Sequence, residues 1–239
     1  VFQDYEDKIG KENMYRNYML SMLASEFAVE GDIEKAKEYA SKISEKGREA
    51  SAYNSIAWKL AEEGKDLGKA QEISKKSLDL IENIDPKEDK PKTQTASQYK
   101  SNLDYMKVMY EDTYATIMYK QGDLKEAIKY QEMAANSKTA DAEITEKYIQ
   151  YLVEDKQYET AKEKAASFIA KNKGSQKLNE YYKEAYTAVG DTAGFEKELA
   201  MLEEKGHQKA KSDIKKMMID EDASQFTLKD LEGKEVSLE

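Results

Sequence analysis

The chain has 239 residues, 36% of them charged and 39% hydrophobic, with a formal net charge of −10 and no cysteine. The acidic balance excludes a broad nucleic-acid surface, since phosphates are repelled without a local basic stripe, and only Arg16 and Arg48 supply guanidinium forks. The missing thiols exclude a disulfide framework, a thiolate metal site and a cysteine nucleophile within these residues, and no apolar run reaches the roughly 18–20 residues that a membrane-spanning helix needs.

With only 2 Pro and 11 Gly, the chain is rich in helix formers and poor in breakers. It begins at Val1, so its natural N-terminus, with any leader, is expected upstream. The first helical stretch carries Leu20, Leu23, Ala24 and Phe27 and closes at Gly31; Asp32 caps a second stretch with Ile33 and Ala36. Met14, Met19 and Met22, and further on Met106, Met109 and Met118, fall at helical spacing and read as core packing, with an adaptable binding surface as the alternative. Tyr53, Ile56, Ala57 and Leu60 lead to Gly64 and then Ala70, with one residue inserted after the glycine.

Pro86 and Pro91 mark residues 83–98 as a loop. Beyond it Tyr99, Leu103, Met106, Tyr110, Tyr114 and Ile117 form one apolar stripe, which predicts a long helix over about 95–121 that projects past its neighbours or packs on an extra surface. Tyr114, Ala115 and Met118 precede Gly122, then Leu124 and Ala127. Tyr148 and Leu152 precede Lys156, then Tyr158 and Ala161. Tyr182 and Tyr186 precede Gly190, with Phe195 where an alanine is expected. The turns at 31, 64, 122, 156 and 190 are separated by 33, 58, 34 and 34 residues.

This spacing resembles the tetratricopeptide repeat, a helix–turn–helix unit of 34 residues. The resemblance covers about residues 12–205 and implies an all-α fold, a right-handed α-solenoid, with a plain antiparallel bundle as the alternative. The expected repeats span about 17–49, 50–84, 108–141, 142–175 and 176–205, followed by an end helix over 209–221. In that family the first helix of each unit lines a concave groove. Transferred here, the groove positions are Ser21, Ser25, Asn54, Trp58, Asp112, Thr116, Tyr119, Glu146, Gln150, Glu180 and Glu184. The six expected to meet a ligand are Asn54, Trp58, Asp112, Thr116, Tyr119 and Gln150. The lysine-and-asparagine clamp for a peptide carboxyl terminus is not in register. Trp58 suits a ligand anchor and an inter-repeat core position equally. The implied partner is a protein or peptide, with no cofactor.

No catalytic or metal site is expected. His207 is the only histidine and reads as solvated. Glu62/Glu63, Glu88/Asp89, Glu203/Glu204 and Asp220/Glu221/Asp222 mostly lie beside lysines at helical spacing, the pattern of a solvated face. There is no glycine-rich phosphate loop.

The last segment changes period. Phe226, Leu228, Asp230, Gly233, Val236 and Leu238 alternate about a turn, predicting a short β-hairpin or a frayed tail over 222–239. The pattern looks like the opening hairpin of extracytoplasmic thioredoxin-like thiol–disulfide oxidoreductases and the related peroxiredoxins. That resemblance covers about 14 residues. It implies that residues 1–221 are the non-catalytic helical part of a longer periplasmic or envelope protein, whose reactive cysteine would follow the hairpin. The alternative is a self-contained scaffold that binds its partner in the groove.

Overall fold

The computed structural model describes residues 8, 14–190, 192–218, 227–229 and 231–237, which are helical apart from one short C-terminal hairpin. Helices α1 (Met14–Val29) and α2 (Ile33–Ala40) meet at Gly31, where φ is 84°. There the Gly31 N–H donates to the Ala28 carbonyl (3.2 Å) and the Asp32 N–H to the Phe27 carbonyl (2.8 Å), the bond pair that closes a helix over a left-handed residue. The Asp32 carboxylate then accepts from the Lys35 N–H at 3.2 Å and caps α2.

The same closure recurs along the chain. Helix α3 (Lys46–Glu63) ends at Gly64 (φ 64°) before α4 (Leu67–Glu82), and α5 (Ala96–Gln121) ends at Gly122 (φ 84°) before α6 (Leu124–Ala135). Asp123 caps α6 with the backbone angles of Asp32, φ −84° and ψ 73°. Helix α7 (Ala142–Glu154) turns at Lys156 (φ 58°) into α8 (Tyr158–Ala170). Helix α9 (Gln176–Ala188) turns at Gly190 (φ 89°) into α10 (Phe195–Met217); Asp191 lies outside the described residues.

Each helix packs on its neighbours in sequence, and α1 also meets α3, α3 meets α5, α7 meets α9 and α8 meets α10. The alanines after the turns (Ala36, Ala70, Ala127, Ala161) and those on the preceding helices (Ala24, Ala57, Ala115) are completely buried. Their small side chains let helix axes approach, while Tyr53, Tyr148 and Tyr182 fill the wider gaps. Three buried tyrosine hydroxyls find partners across elements: Lys76 Nζ donates to Tyr53 Oη (2.7 Å), and Tyr182 and Tyr186 both donate to the Glu198 carboxylate (2.8 and 3.0 Å).

The proline loop is tied down by Asp89, which accepts from the Asp85 N–H and from Lys46 Nζ. A capping box between Thr95 and Gln98 starts α5. The first turns of α5 do not hang free. Tyr99 and Leu103 are buried, with the Tyr99 ring lying over Gly47 near the start of α3.

At the other end the structure departs from the expected division between a fifth repeat and a separate end helix. Residues 195–217 form one continuous 23-residue helix that passes through Gly206. Gly206 is buried, and a Cβ there would lie 2.5 Å from the Ile169 carbonyl oxygen at the end of α8. The glycine therefore marks a close crossing of two helices, not a break.

In the hairpin, β1 (Thr227–Lys229) and β2 (Glu235–Ser237) are antiparallel with Leu228 opposite Val236 and Gly233 at φ 81° in the turn. Leu228 and Leu231 are exposed. Phe226, Asp230 and Leu238 lie outside the described residues. Among the described residues, no helix is long and apolar enough to cross a membrane.

Two glycine-to-alanine substitutions separate helix propensity from packing. Gly68 in α4 has no atom within 4 Å of where a Cβ would sit, so Gly68→Ala stabilises the chain by about 0.5–1 kcal/mol. Gly206→Ala gains the same propensity but meets a backbone carbonyl, and the net result is a loss of roughly 1–3 kcal/mol. Urea unfolding of the two variants beside the parent measures both signs.

Candidate functional site

The inner faces of α1, α3, α5 and α7 surround a cavity of about 500 Å³. Helix α3 contributes Asn54, Trp58 and Glu62, spaced four apart on one face. Helix α1 adds Ser25 and Val29, and α5 adds Met109 and Asp112. Helix α7 enters with its cap, Asp141, whose carboxylate accepts from the Ile144 N–H at 3.0 Å, and continues with Glu143, Ile144 and Lys147. Trp58 is half-buried and is the chain's only tryptophan.

Asp112 holds the wall together. It is 5% exposed and accepts from Gln131 Nε2 of α6 (2.7 Å) and from Lys147 Nζ of α7 (2.9 and 3.2 Å). Gln131 also donates to the Ile144 carbonyl at 3.1 Å. One buried carboxylate thus fixes α5, α6 and α7 together, and burial leaves it no water to take over either bond. The held Lys147 ammonium lies 5.7 Å from the Trp58 ring centroid, at the outer range of a cation–π contact, and 3.5 Å from Glu143.

The lining is acidic on balance, with Glu62, Asp112, Asp141 and Glu143 against Lys59 and Lys147. Lys59 itself pairs with Glu63 at 3.4 Å. The Asn54 Oδ1 is buried and has no hydrogen-bond partner among the described residues.

The six expected ligand-facing residues divide between two places. Asn54, Trp58 and Asp112 line the cavity. Thr116, Tyr119 and Gln150 lie outside its lining. Thr116 is half-buried with its hydroxyl against Tyr151. Tyr119 stacks on Tyr151 (centroids 4.5 Å apart, planes at 15°) and donates to Glu154 Oε1 at 3.0 Å, which also accepts from Gln150 Nε2 at 2.9 Å. Burial, with the Glu154 carboxylate adding to it, raises the Tyr119 phenol above its ordinary pKa.

Among the other groove positions Ser25 lines the cavity, while Ser21 donates to the Asn17 carbonyl in its own helix. Glu146 accepts from Ser175 at 2.6 Å, Glu180 pairs with Lys177 at 3.3 Å, and Glu184 is exposed.

Sequence reasoning passed over Lys147. With Glu143 it makes an i,i+4 acid–base pair, the ordinary mark of a solvated face. Glu143 fits that description, but the Lys147 side chain is only 19% exposed and turns to Asp112. The available signal was the combination of Asp112 on an apolar helix with no basic residue at helical spacing from it, since a buried carboxylate needs a cation or donor from another element. The exposed His207 lies at α10, away from this cavity's lining, and among the described residues no cluster of His, Cys, Asp and Glu is arranged to hold a metal ion.

Truncating Asp112 strands a buried ammonium and a buried amide. Asp112→Ala therefore costs about 3 kcal/mol of folding stability, against less than about 0.5 kcal/mol for Asp104→Ala, which breaks only the exposed Lys100–Asp104 pair. Denaturant midpoints of the two variants, compared with the parent, test the contrast. As to kinship, no protein-family model matches the chain, and no curated protein and no solved structure matches it.

Proposed function

We propose that this chain is an interaction module: a right-handed, tetratricopeptide-like helical array that receives a peptide segment of a partner protein in the cavity around Trp58. The observation that carries this reading is the cavity itself, in which a half-buried tryptophan sits with Val29, Met109 and Ile144 among polar and charged side chains. An aromatic side chain in a concave, partly apolar site is the type of residue that dominates binding energy at interfaces. The repeat reading draws support from the left-handed turn residues at 31, 64, 122, 156 and 190, and from helices that pack chiefly on near neighbours in sequence.

Selection of an unbiased displayed library of 12-residue peptides on the immobilised protein tests the groove. Binders are expected, and Trp58→Ala is expected to weaken them by tenfold or more while keeping the helical circular-dichroism signal. Binders that hold Trp58→Ala as tightly as the parent, or no binders at all, overturn the reading.

A second reading concerns the parent protein. The hairpin pairs Leu228 with Val236 across a turn with Gly233 at positive φ, which favours the resemblance to the first hairpin of a thioredoxin-like domain. On this reading the array selects substrates or partners for an extracytoplasmic thiol–disulfide oxidoreductase, and the thiolate chemistry belongs to residues beyond 239. Sequencing the gene past codon 239 decides it. A Cys-x-x-Cys or a single cysteine at a helix start, within about one thioredoxin-like unit, is expected; an open frame with no cysteine there rules it out.

A further inference from the structure

The cavity's charge and hydrogen-bonding inventory says more than that it binds a peptide. Both lysines that line it are already paired. Lys147 is held by Asp112 at 2.9 Å and Glu143 at 3.5 Å, and Lys59 by Glu63 at 3.4 Å. Glu62 has no Lys or Arg within ion-pair distance among the described residues, and it stands one helical turn from Trp58 on the same face of α3. Glu143 shares one already over-subscribed ammonium, and its side chain is 75% exposed. Asn54 adds an unpartnered acceptor oxygen, not a donor. The unmet demand is therefore for donors and positive charge.

The apolar surroundings are directional. On α1, Tyr18, Met22 and Val29 are exposed along the stripe that includes Ser25, and on α5 Tyr105 and Met109 are exposed one turn apart. Val29 and Met109 are the members of these stripes that reach the cavity. A ligand filling the cavity would thus continue over apolar surface on either side.

Resting on the groove proposed above, we infer that the occupant is a peptide segment carrying an arginine or lysine between apolar residues, with its cation lying against the Trp58 ring beside Glu62 and Glu143. The long aliphatic stem of either residue suits the Trp58–Ile144–Met109 lining, while its charged head meets the carboxylates and its N–H groups face acceptors. A free carboxyl terminus or an acidic segment would meet the uncompensated Glu62 and is rejected.

Because Trp58 is the only tryptophan, its fluorescence reports from inside the cavity. The probes are three acetylated, amidated nonapeptides, Gly-Ser-Leu-Ala-X-Ala-Leu-Ser-Gly, with X as arginine, its neutral isostere citrulline, or glutamate. The arginine peptide is expected to titrate the Trp58 signal at least tenfold more tightly than the citrulline peptide, equivalent to about 1.4 kcal/mol, with no response to the glutamate peptide. Glu62→Gln and Glu143→Gln, both at exposed positions, are each expected to weaken the arginine peptide about three- to tenfold and to leave the citrulline peptide unchanged. Equal binding of arginine and citrulline, binding of the glutamate peptide, or silence of the arginine peptide up to about 1 mM overturns the inference. If Trp58-dependent peptides still emerge from the unbiased library, the groove stands and only its preference for cations falls; if none emerge, both fall.

Discussion

The architecture depends on one backbone constraint, the reversal of the chain at 31, 64, 122, 156 and 190, completed within two or three residues at the first four. Each reversal places a residue at positive φ, and at the first four two successive N–H groups fold back onto the last turn of the preceding helix. Glycine meets that need without strain at four of the five positions. Lys156 meets it at φ 58°, at the cost of about 1 kcal/mol that the left-handed region imposes on a residue with a Cβ. With reversals this short, adjacent helices lie side by side at once. The completely buried alanines flanking the turns follow from that closeness, since a larger residue there would force the axes apart.

The same constraint decides what the sequence made legible. Turns announce themselves locally, through Gly-Asp or a period of 34, and so do the small and aromatic positions that depend on them. Interactions between elements do not announce themselves. Gly206 carries the local appearance of a helix breaker, yet it is kept in mid-helix by a carbonyl 37 residues earlier, at Ile169. Asn172, in the left-handed region at φ 59° with Lys173 bonding back to Phe168, closes α8 as the glycines close other helices, asparagine being the next residue type to tolerate that region. For the site, Trp58 and Asn54 were legible because α3 presents them on one helical face. Lys147 was not, because its role comes from Asp112 on another helix.

Asp112 and its neighbour Glu111 show how sharply context divides two adjacent buried carboxyls. Asp112 meets an ammonium and an amide at hydrogen-bonding distance. Glu111 is 4% exposed, stands 4.0 Å from Lys107, and has Glu82 nearby; burial, only partly offset by Lys107 and reinforced by Glu82, pushes its carboxyl up to about 7. Its folded-state pKa lies above the ordinary carboxylate value, so its protonation supports the fold at acidic pH, and that support fades as pH rises towards neutrality. The carboxyl that meets an ammonium and an amide is the one that faces the cavity. Its negative charge is spent on positioning Lys147, which leaves the exposed carboxylates to set the character of the lining.

The inserted proline loop then gains a purpose in the architecture. It lets α5 start early and run for 26 residues, about 39 Å at 1.5 Å per residue, twice the 13 residues of α7. Tyr99 and Leu103 anchor the added turns on α3 and the loop, so the extra length is rigid. The exposed Tyr105 belongs to the turns that this early start supplies, one turn before the cavity-lining Met109. The cavity-lining Met109, Asp112 and Thr113 all fall after the added turns, so the early start contributes anchoring on α3 and exposed surface beside the cavity and leaves the wall facing Trp58 to the rest of α5.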